Sequence, residues 1–203
     1  MKRNIFFKVT LILIVISTLT ACKKFLDQVP DDKQTIDDVF KKKLESEKYL
    51  AGVYSYIKSN ADWNTQSPWE GLSDEVDVTY NDYPTYSMNL GSWDKNRGDY
   101  NFWNNYYQGI RRASYFMQRV PENPEIEPQL IKQYVAEARA LRAYFYSCLL
   151  AQYGPVIILP DLPIPPDASI EDFSFPRNSY DECVDYIVSE LDKAILDLPA
   201  SQG

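Results

Sequence analysis

Between Asn60 and Arg97 the sequence gathers Trp63, Trp69, Trp93, Tyr80, Tyr83 and Tyr86, mixed with Asp, Asn, Ser and two prolines, and it sustains no helix or strand period. Flat aromatic faces pack against the C–H faces of sugar rings, and neighbouring polar side chains hydrogen-bond the hydroxyls. Trp63, Trp69, Tyr86 and Trp93 are therefore candidates for a stacking platform, with Asp74, Asp94, Asn96 and Arg97 as polar partners. The competing role for any one of these tryptophans is to staple a long loop onto neighbouring helices, because large aromatics are highly buried on average. A loop of this length is unusual unless it is functional.

Asp74, Glu75 and Asp77 form an acidic cluster inside the same stretch. A carboxylate pair is what glycoside hydrolysis uses, and clustered carboxylates hold Ca²⁺. The Ca²⁺-loop spacing with its glycine is missing, so a solvated turn or helix cap is the preferred reading. The chain has no histidine, which removes Ser-His-Asp and Cys-His mechanisms and His-containing zinc sites. No catalytic residue, metal site or cofactor is assigned, and the chain reads as a binding protein, not an enzyme.

Cys22 offers different chemistry. Met1 to Lys8 is short and positive, Val9 to Leu19 is apolar apart from small hydroxyl residues, and Leu19-Thr20-Ala21 leads straight into Cys22. This is the order of a secretory signal, and the apolar run is short for a membrane-spanning helix. The ending resembles the lipobox of bacterial lipoproteins, in which the cysteine is diacylated and becomes the new N-terminus. More than one acyl chain is what stable anchoring needs. Residues 1–21 are thus expected to be a signal peptide and 22–34 a polar tether. Removing Lys2, Arg3 and Lys8 takes the formal charge from −8 to −11, which disfavours nucleic acid and repels an anionic membrane surface. Cys148 and Cys183 fall on apolar stripes of predicted helices and read as free buried thiols, with a disulfide between them left open.

These residues need a frame. The spacing of Tyr49, Val53, Tyr56 and Ile57 predicts an amphipathic helix over 45–59, preceded by a short helical turn over 35–40. Trp103, Tyr106, Tyr107, Ile110, Ala113, Met117 and Val120 predict a second helix over 99–120, ended by Pro121. Pro128 fits the first turn of a third helix, which carries one stripe from Ile131 to Leu149 and a small-residue stripe of Ala136, Ala140 and Ala143. Two buried faces make it the central helix, and Gly154-Pro155 ends it. Glu137, Arg139 and Arg142 lie on it and read as buried ion pairs between hairpins, with contact to a partner as the alternative. A Pro-rich connector follows, and Ser179 with Glu182 forms a capping box for a last helix ending at Pro199. Four substantial helices and no convincing sheet predict an all-α fold of antiparallel hairpins, although no clean 34-residue period is present.

Several segments taken in order resemble the N-terminal run of SusD/RagB-family outer-membrane lipoproteins. They are Cys22-Lys-Lys-Phe-Leu-Asp, Gly52-Val-Tyr54 and Ser73-Asp-Glu75, then the run from Ala136 through Tyr153-Gly-Pro-Val156, then Phe175-Pro-Arg177 with its amphipathic helix. The resemblance implies tetratricopeptide-like hairpins over residues 35–203 and an outer-membrane position facing the exterior. It also implies capture of a glycan or peptide for a TonB-dependent, SusC-like transporter. The C-terminal half of the family fold is not matched. The alternative reading is a helical-repeat adaptor that binds protein partners in the periplasm and no small ligand.

Overall fold

The computed structural model describes residues 35–59, 69–94, 96, 98–161, 169 and 174–200. They fall into two units, one running to Asp38 and one from Val39 onward. The first contributes the opening of α1 (Ile36–Val39). Its start is fixed locally. The Asp38 carboxylate accepts from the Thr35 N–H at 3.2 Å and hydroxyl at 2.6 Å, while the Thr35 hydroxyl accepts from the Asp38 N–H at 3.3 Å. This is the reciprocal capping arrangement, built with Asp in place of Glu.

The second unit contains α2 (Lys43–Tyr54), α3 (Pro84–Asn89), α4 (Trp103–Arg119), α5 (Pro128–Tyr153) and α6 (Tyr180–Ile195), with 3₁₀ turns at Glu70–Leu72 and Val120–Glu122. No β-strand occurs among the described residues. The stop signals act as the sequence predicts. Pro128 opens α5, Gly154 ends it with a φ of +67°, and the Ser179 hydroxyl and Glu182 carboxylate cap α6 reciprocally. Two helices are shorter than their periodicity predicts: α2 stops at Tyr54, and α4 begins at Trp103. The late start of α4 has a local and a tertiary cause: Asn101 Oδ1 accepts from the Trp103 N–H at 3.2 Å, and a distant phenol joins it. The Tyr153 hydroxyl, from the end of α5, accepts from the N–H groups of Phe102 and Trp103 at 2.8 and 3.1 Å, so a distant phenol caps the helix.

Paired contacts establish antiparallel hairpins. Along α4 and α5, Trp103 meets Tyr153, Tyr107 meets Tyr146 and Ser114 meets Arg142. Along α5 and α6, Tyr146 meets Tyr186 and Arg142 meets Glu190. Against α4, α2 runs the same way, with Tyr49 on Phe116 and the Tyr56 Cβ near Gly109. α5 is central. Leu141, Arg142 and Ala143 are buried in succession, which spans more than half of the helix circumference. α4 approaches it closely at Gly109, where an added Cβ would lie 2.8 Å from the Phe145 ring.

Tyrosines tie the hairpins together with both ends of the side chain. Tyr107 donates to the Ile157 carbonyl at 2.9 Å and accepts from the Ile157 N–H at 3.0 Å, and Tyr146 accepts from the Leu159 N–H at 2.9 Å. Tyr134 donates to Glu47 at 2.6 Å and Tyr54 to Glu137 at 3.1 Å. Burial, with the Glu137 charge adding to it, pushes the Tyr54 phenol up to about 12.

Arg139 and Arg142 join α5 to α6 through a single acid. Arg139 Nη1 lies 3.0 Å from Glu190 Oε1, Arg142 Nη2 bonds Glu190 Oε2, and Lys193 Nζ reaches Glu190 at 3.1 Å. Arg142 is also 2.8 Å from Asp161. Glu137 takes a different role from the one expected for it, accepting from Tyr54 and Gln133 and joining no arginine in these pairs. Burial alone would raise the Glu190 carboxyl; the hydrogen bond and charge of Arg142, with Lys193 and Arg139 beside it, more than offset this and hold it below the usual carboxylate range. Cys148 and Cys183 are free thiols, the first half-buried and the second fully buried against the Val156 carbonyl.

Candidate ligand-binding site

The described part of the stretch expected to be a loop, residues 69–94, is instead a small folded substructure. α3 and the 3₁₀ turn Glu70–Leu72 occupy it, and both are held by tertiary contacts. Asn89 Nδ2 donates to the Gly71 carbonyl at 2.9 Å. Gly71 is buried, and a Cβ there would come within 2.8 Å of both Thr85 Cγ2 and Val78 Cγ2, so only glycine lets the turn sit on α3. The Ser92 N–H donates to the Ser87 carbonyl at 2.9 Å and closes the far end of α3.

A second set of bonds moors this substructure to α5. The hydroxyls of Thr85 and Tyr100 are 2.7 Å apart, both buried, and Gln152 donates to the Tyr100 carbonyl. Tyr100 holds a φ of +56°, a left-handed conformation uncommon for a bulky residue, and bonds at both its hydroxyl and its carbonyl fix it there.

On this scaffold the predicted site residues divide. Trp69 precedes the 3₁₀ turn and is 57% exposed, and Trp93 follows α3 and is 49% exposed. Neither is stapled into the core. Tyr86 is half-buried within α3. Asp74 is exposed beside Glu75 and Asp77, in a turn where the Glu75 N–H donates to the Ser73 hydroxyl at 3.2 Å. Asn96 is exposed, and its N–H donates to Asp94 at 2.7 Å in a local turn. The Asn89–Gly71 clamp brings the turn bearing Trp69 and Asp74 against the helix bearing Tyr86, and Trp93 leaves the end of that helix. Trp63, Arg97 and Cys22 lie outside the described residues.

Tyr80 and Tyr83, gathered in the sequence but not taken as stacking candidates, form a pair. Tyr80 is 63% exposed, and its ring lies 5.4 Å from the ring of Tyr83 at an angle of 40°. The Tyr83 N–H donates to the Tyr80 carbonyl at 3.2 Å, so a turn sets the two rings side by side at the entrance to α3. The signal was the Tyr-x-x-Tyr-Pro spacing, which reads as a turn leading to a helix N1 proline.

Among the described residues no group of three or more His, Cys, Asp or Glu could hold a metal ion, and no helix is long and apolar enough to cross a membrane. The arrangement offers exposed aromatic faces with carboxylates and carboxamides beside them on a braced support.

Comparison with known proteins then decides the family. Residues 24–202 match the SusD-like family model described as starch-binding and associating with the outer membrane. This chain belongs to the SusD-like family. It is 24% identical over 190 residues to SusD-like protein P38 of Formosa agariphila, covering 91% of this chain and 36% of that protein. The crystal structure of a SusD-like protein from Bacteroides fragilis superposes with a TM-score of 0.65 at 26% identity, covering 83% of this chain and 32% of that one. A SusD-like carbohydrate-binding protein from the same species superposes with a TM-score of 0.61 at 19% identity, covering 79% and 32%. This SusD-like chain therefore spans about a third of the length of these relatives. Its all-α hairpin fold is that of the family, as the sequence resemblance implies.

Proposed function

We propose that this SusD-like chain belongs to a lipid-anchored outer-membrane receptor that captures a glycan and passes it to a TonB-dependent transporter without breaking a bond in it. The observation that carries the reading is the pair of indole rings, Trp69 and Trp93, left about half in solvent on a braced substructure instead of being drawn into the core. An indole left this exposed forgoes part of the burial that normally stabilises it, and a sugar face can restore that burial on binding. Asp74, Asp94 and Asn96 stand in the same stretch to bond hydroxyls, and Trp63 and Arg97 complete the proposed set from outside the described residues. The relatives' names, one of them a carbohydrate-binding protein, support a glycan over a peptide.

Anchoring rests on Cys22 and its preceding Leu-Thr-Ala, with 1–21 removed, 22–34 as tether and the lipid holding the protein at the outer face. The test is calorimetric titration against soluble α- and β-glucans, run beside a reducing-sugar assay. The reading expects saturable binding to at least one glucan class and no release of reducing ends. Hydrolysis that disappears in Asp74→Ala would replace it with a glycosidase.

A further inference from the structure

Thr85 is fully buried in the first turn of α3, and its two γ atoms face different segments. Its methyl packs against the 3₁₀ turn, where a Cβ on Gly71 would come within 2.8 Å of it, and Trp69 enters that turn. Its hydroxyl lies 2.7 Å from the buried hydroxyl of Tyr100. One small side chain thus touches both the turn that bears Trp69 and the residue that ties this region to α5. Branching at Cβ leaves threonine few rotamers, so a bond at the hydroxyl also fixes where the methyl stands.

Tyr100 is gripped in turn from the end of α5. Gln152 donates to its carbonyl, and the next residue, Tyr153, donates to Asn101 Oδ1 at 3.2 Å and accepts from the Phe102 N–H at 2.8 Å. The Tyr100 ring meets Phe102 edge-on, with centroids 6.5 Å apart. Arg177 Nη1 donates to the Tyr153 and Pro155 carbonyls at 3.4 and 3.1 Å, so the end of α5 is itself tied down. Between these grips Tyr100 keeps its φ of +56°. A bulky residue stays in the left-handed region only where its surroundings over-determine it, and such backbone clusters at ligand clamps. Each of these bonds closes between two segments of this chain, and none depends on an uncovered face.

We propose that Tyr100 is a positioning residue for the glycan site: braced on the end of α5, its phenol fixes Thr85, and Thr85 fixes the turn that aims the Trp69 indole at the sugar. The inference rests on the glycan reading and deepens it, because it names the bond that sets the geometry of the site before ligand arrives. Pre-organisation of this kind raises affinity by removing ordering that binding would otherwise have to supply. The hydroxyl pair contributes to affinity without touching sugar. Its signature is a loss of binding that works through Trp69.

The test is isothermal titration of the full chain with soluble starch, an α-glucan, and laminarin, a β-glucan. Tyr100→Phe with Thr85→Val removes both hydroxyls together, leaves neither without a partner and keeps both shapes, so folding is retained. With the glucan that binds the wild type, this double variant should bind about fivefold more weakly, while thermal unfolding stays at the wild-type midpoint. In a Trp69→Ala background the same two changes should alter affinity by less than about twofold, because the indole through which the brace acts is gone. Wild-type affinity in the double variant would overturn the proposal. So would an equal loss with and without Trp69, which marks a general loosening. Failure of the wild type to bind either glucan is a separate result: it removes the glycan reading and this inference with it.

Discussion

Glu190 sits where three cations converge from two helices, and α5 and α6 meet through it. Breaking a buried ion pair costs about 3–5 kcal/mol, and Arg142 keeps the exposed Asp161 carboxylate 2.8 Å away, so Glu190→Ala should fall at the lower end of that range in chemical denaturation. The same acid sets a pH dependence. An unfolded glutamate titrates near about 4.3, and Arg142 holds Glu190 lower in the fold against the effect of burial. Its contribution is therefore present in full above the unfolded value and is lost as the pH falls through the lower folded value. Denaturation midpoints of Glu190→Gln and the wild type, followed from pH 6 down to about pH 3, should converge on the acid side. Gly109 gives a second residue-scale expectation. Alanine is the better helix former by about 1 kcal/mol, but its methyl would meet the fully buried Phe145 ring, and overpacking costs about 1–3 kcal/mol. Gly109→Ala should therefore lower the melting temperature. At this scale the sequence announced the residue types of the site, aromatics beside acids, but could not say which indoles stay in solvent. That depends on which neighbours reach Trp69 and Trp93, and it is settled by packing over long separations.

The long helices were legible because their ends are written locally: Pro128 at a first turn, Gly154 past a last turn, and Ser179 with Glu182 at a cap. Ser179→Ala removes one side of that cap and should cost about 1 kcal/mol, read as a shift in denaturant midpoint. Two features escaped for physical reasons. α3 is six residues long, fewer than two turns, and shows too little periodicity to distinguish it from loop. The start of α4 is held by Asn101 Oδ1, which accepts from the Trp103 N–H at 3.2 Å, and by Tyr153, 50 residues away from Trp103, and no local pattern records the second bond. The substructure that carries Trp69 and Trp93 is likewise held by distant bonds. Gly71→Ala should unseat the 3₁₀ turn from α3, weaken glycan binding several-fold and leave far-ultraviolet circular dichroism nearly unchanged, because α4, α5 and α6 do not depend on it.

At the scale of the whole molecule, antiparallel hairpins support a braced substructure that leaves Trp69 and Trp93 about half exposed. The order of the four long helices and the central position of α5 were readable from pattern. The exposure of Val184, Val188, Leu191 and Ile195 on α6 was not, because helical spacing of apolar residues does not say which of them meet a neighbour. The proposed lipid anchor at Cys22 makes its own prediction. Cys22→Ser should leave the precursor unprocessed by the lipoprotein route and shift the protein out of the outer-membrane fraction. The glycan claim is tested most directly by isothermal titration of the double variant Trp69→Ala/Trp93→Ala with whichever glucan binds the wild type. Each ring is expected to contribute about 1 kcal/mol, so the account predicts an affinity loss of at least tenfold with thermal unfolding unchanged. Wild-type affinity in that variant would contradict it.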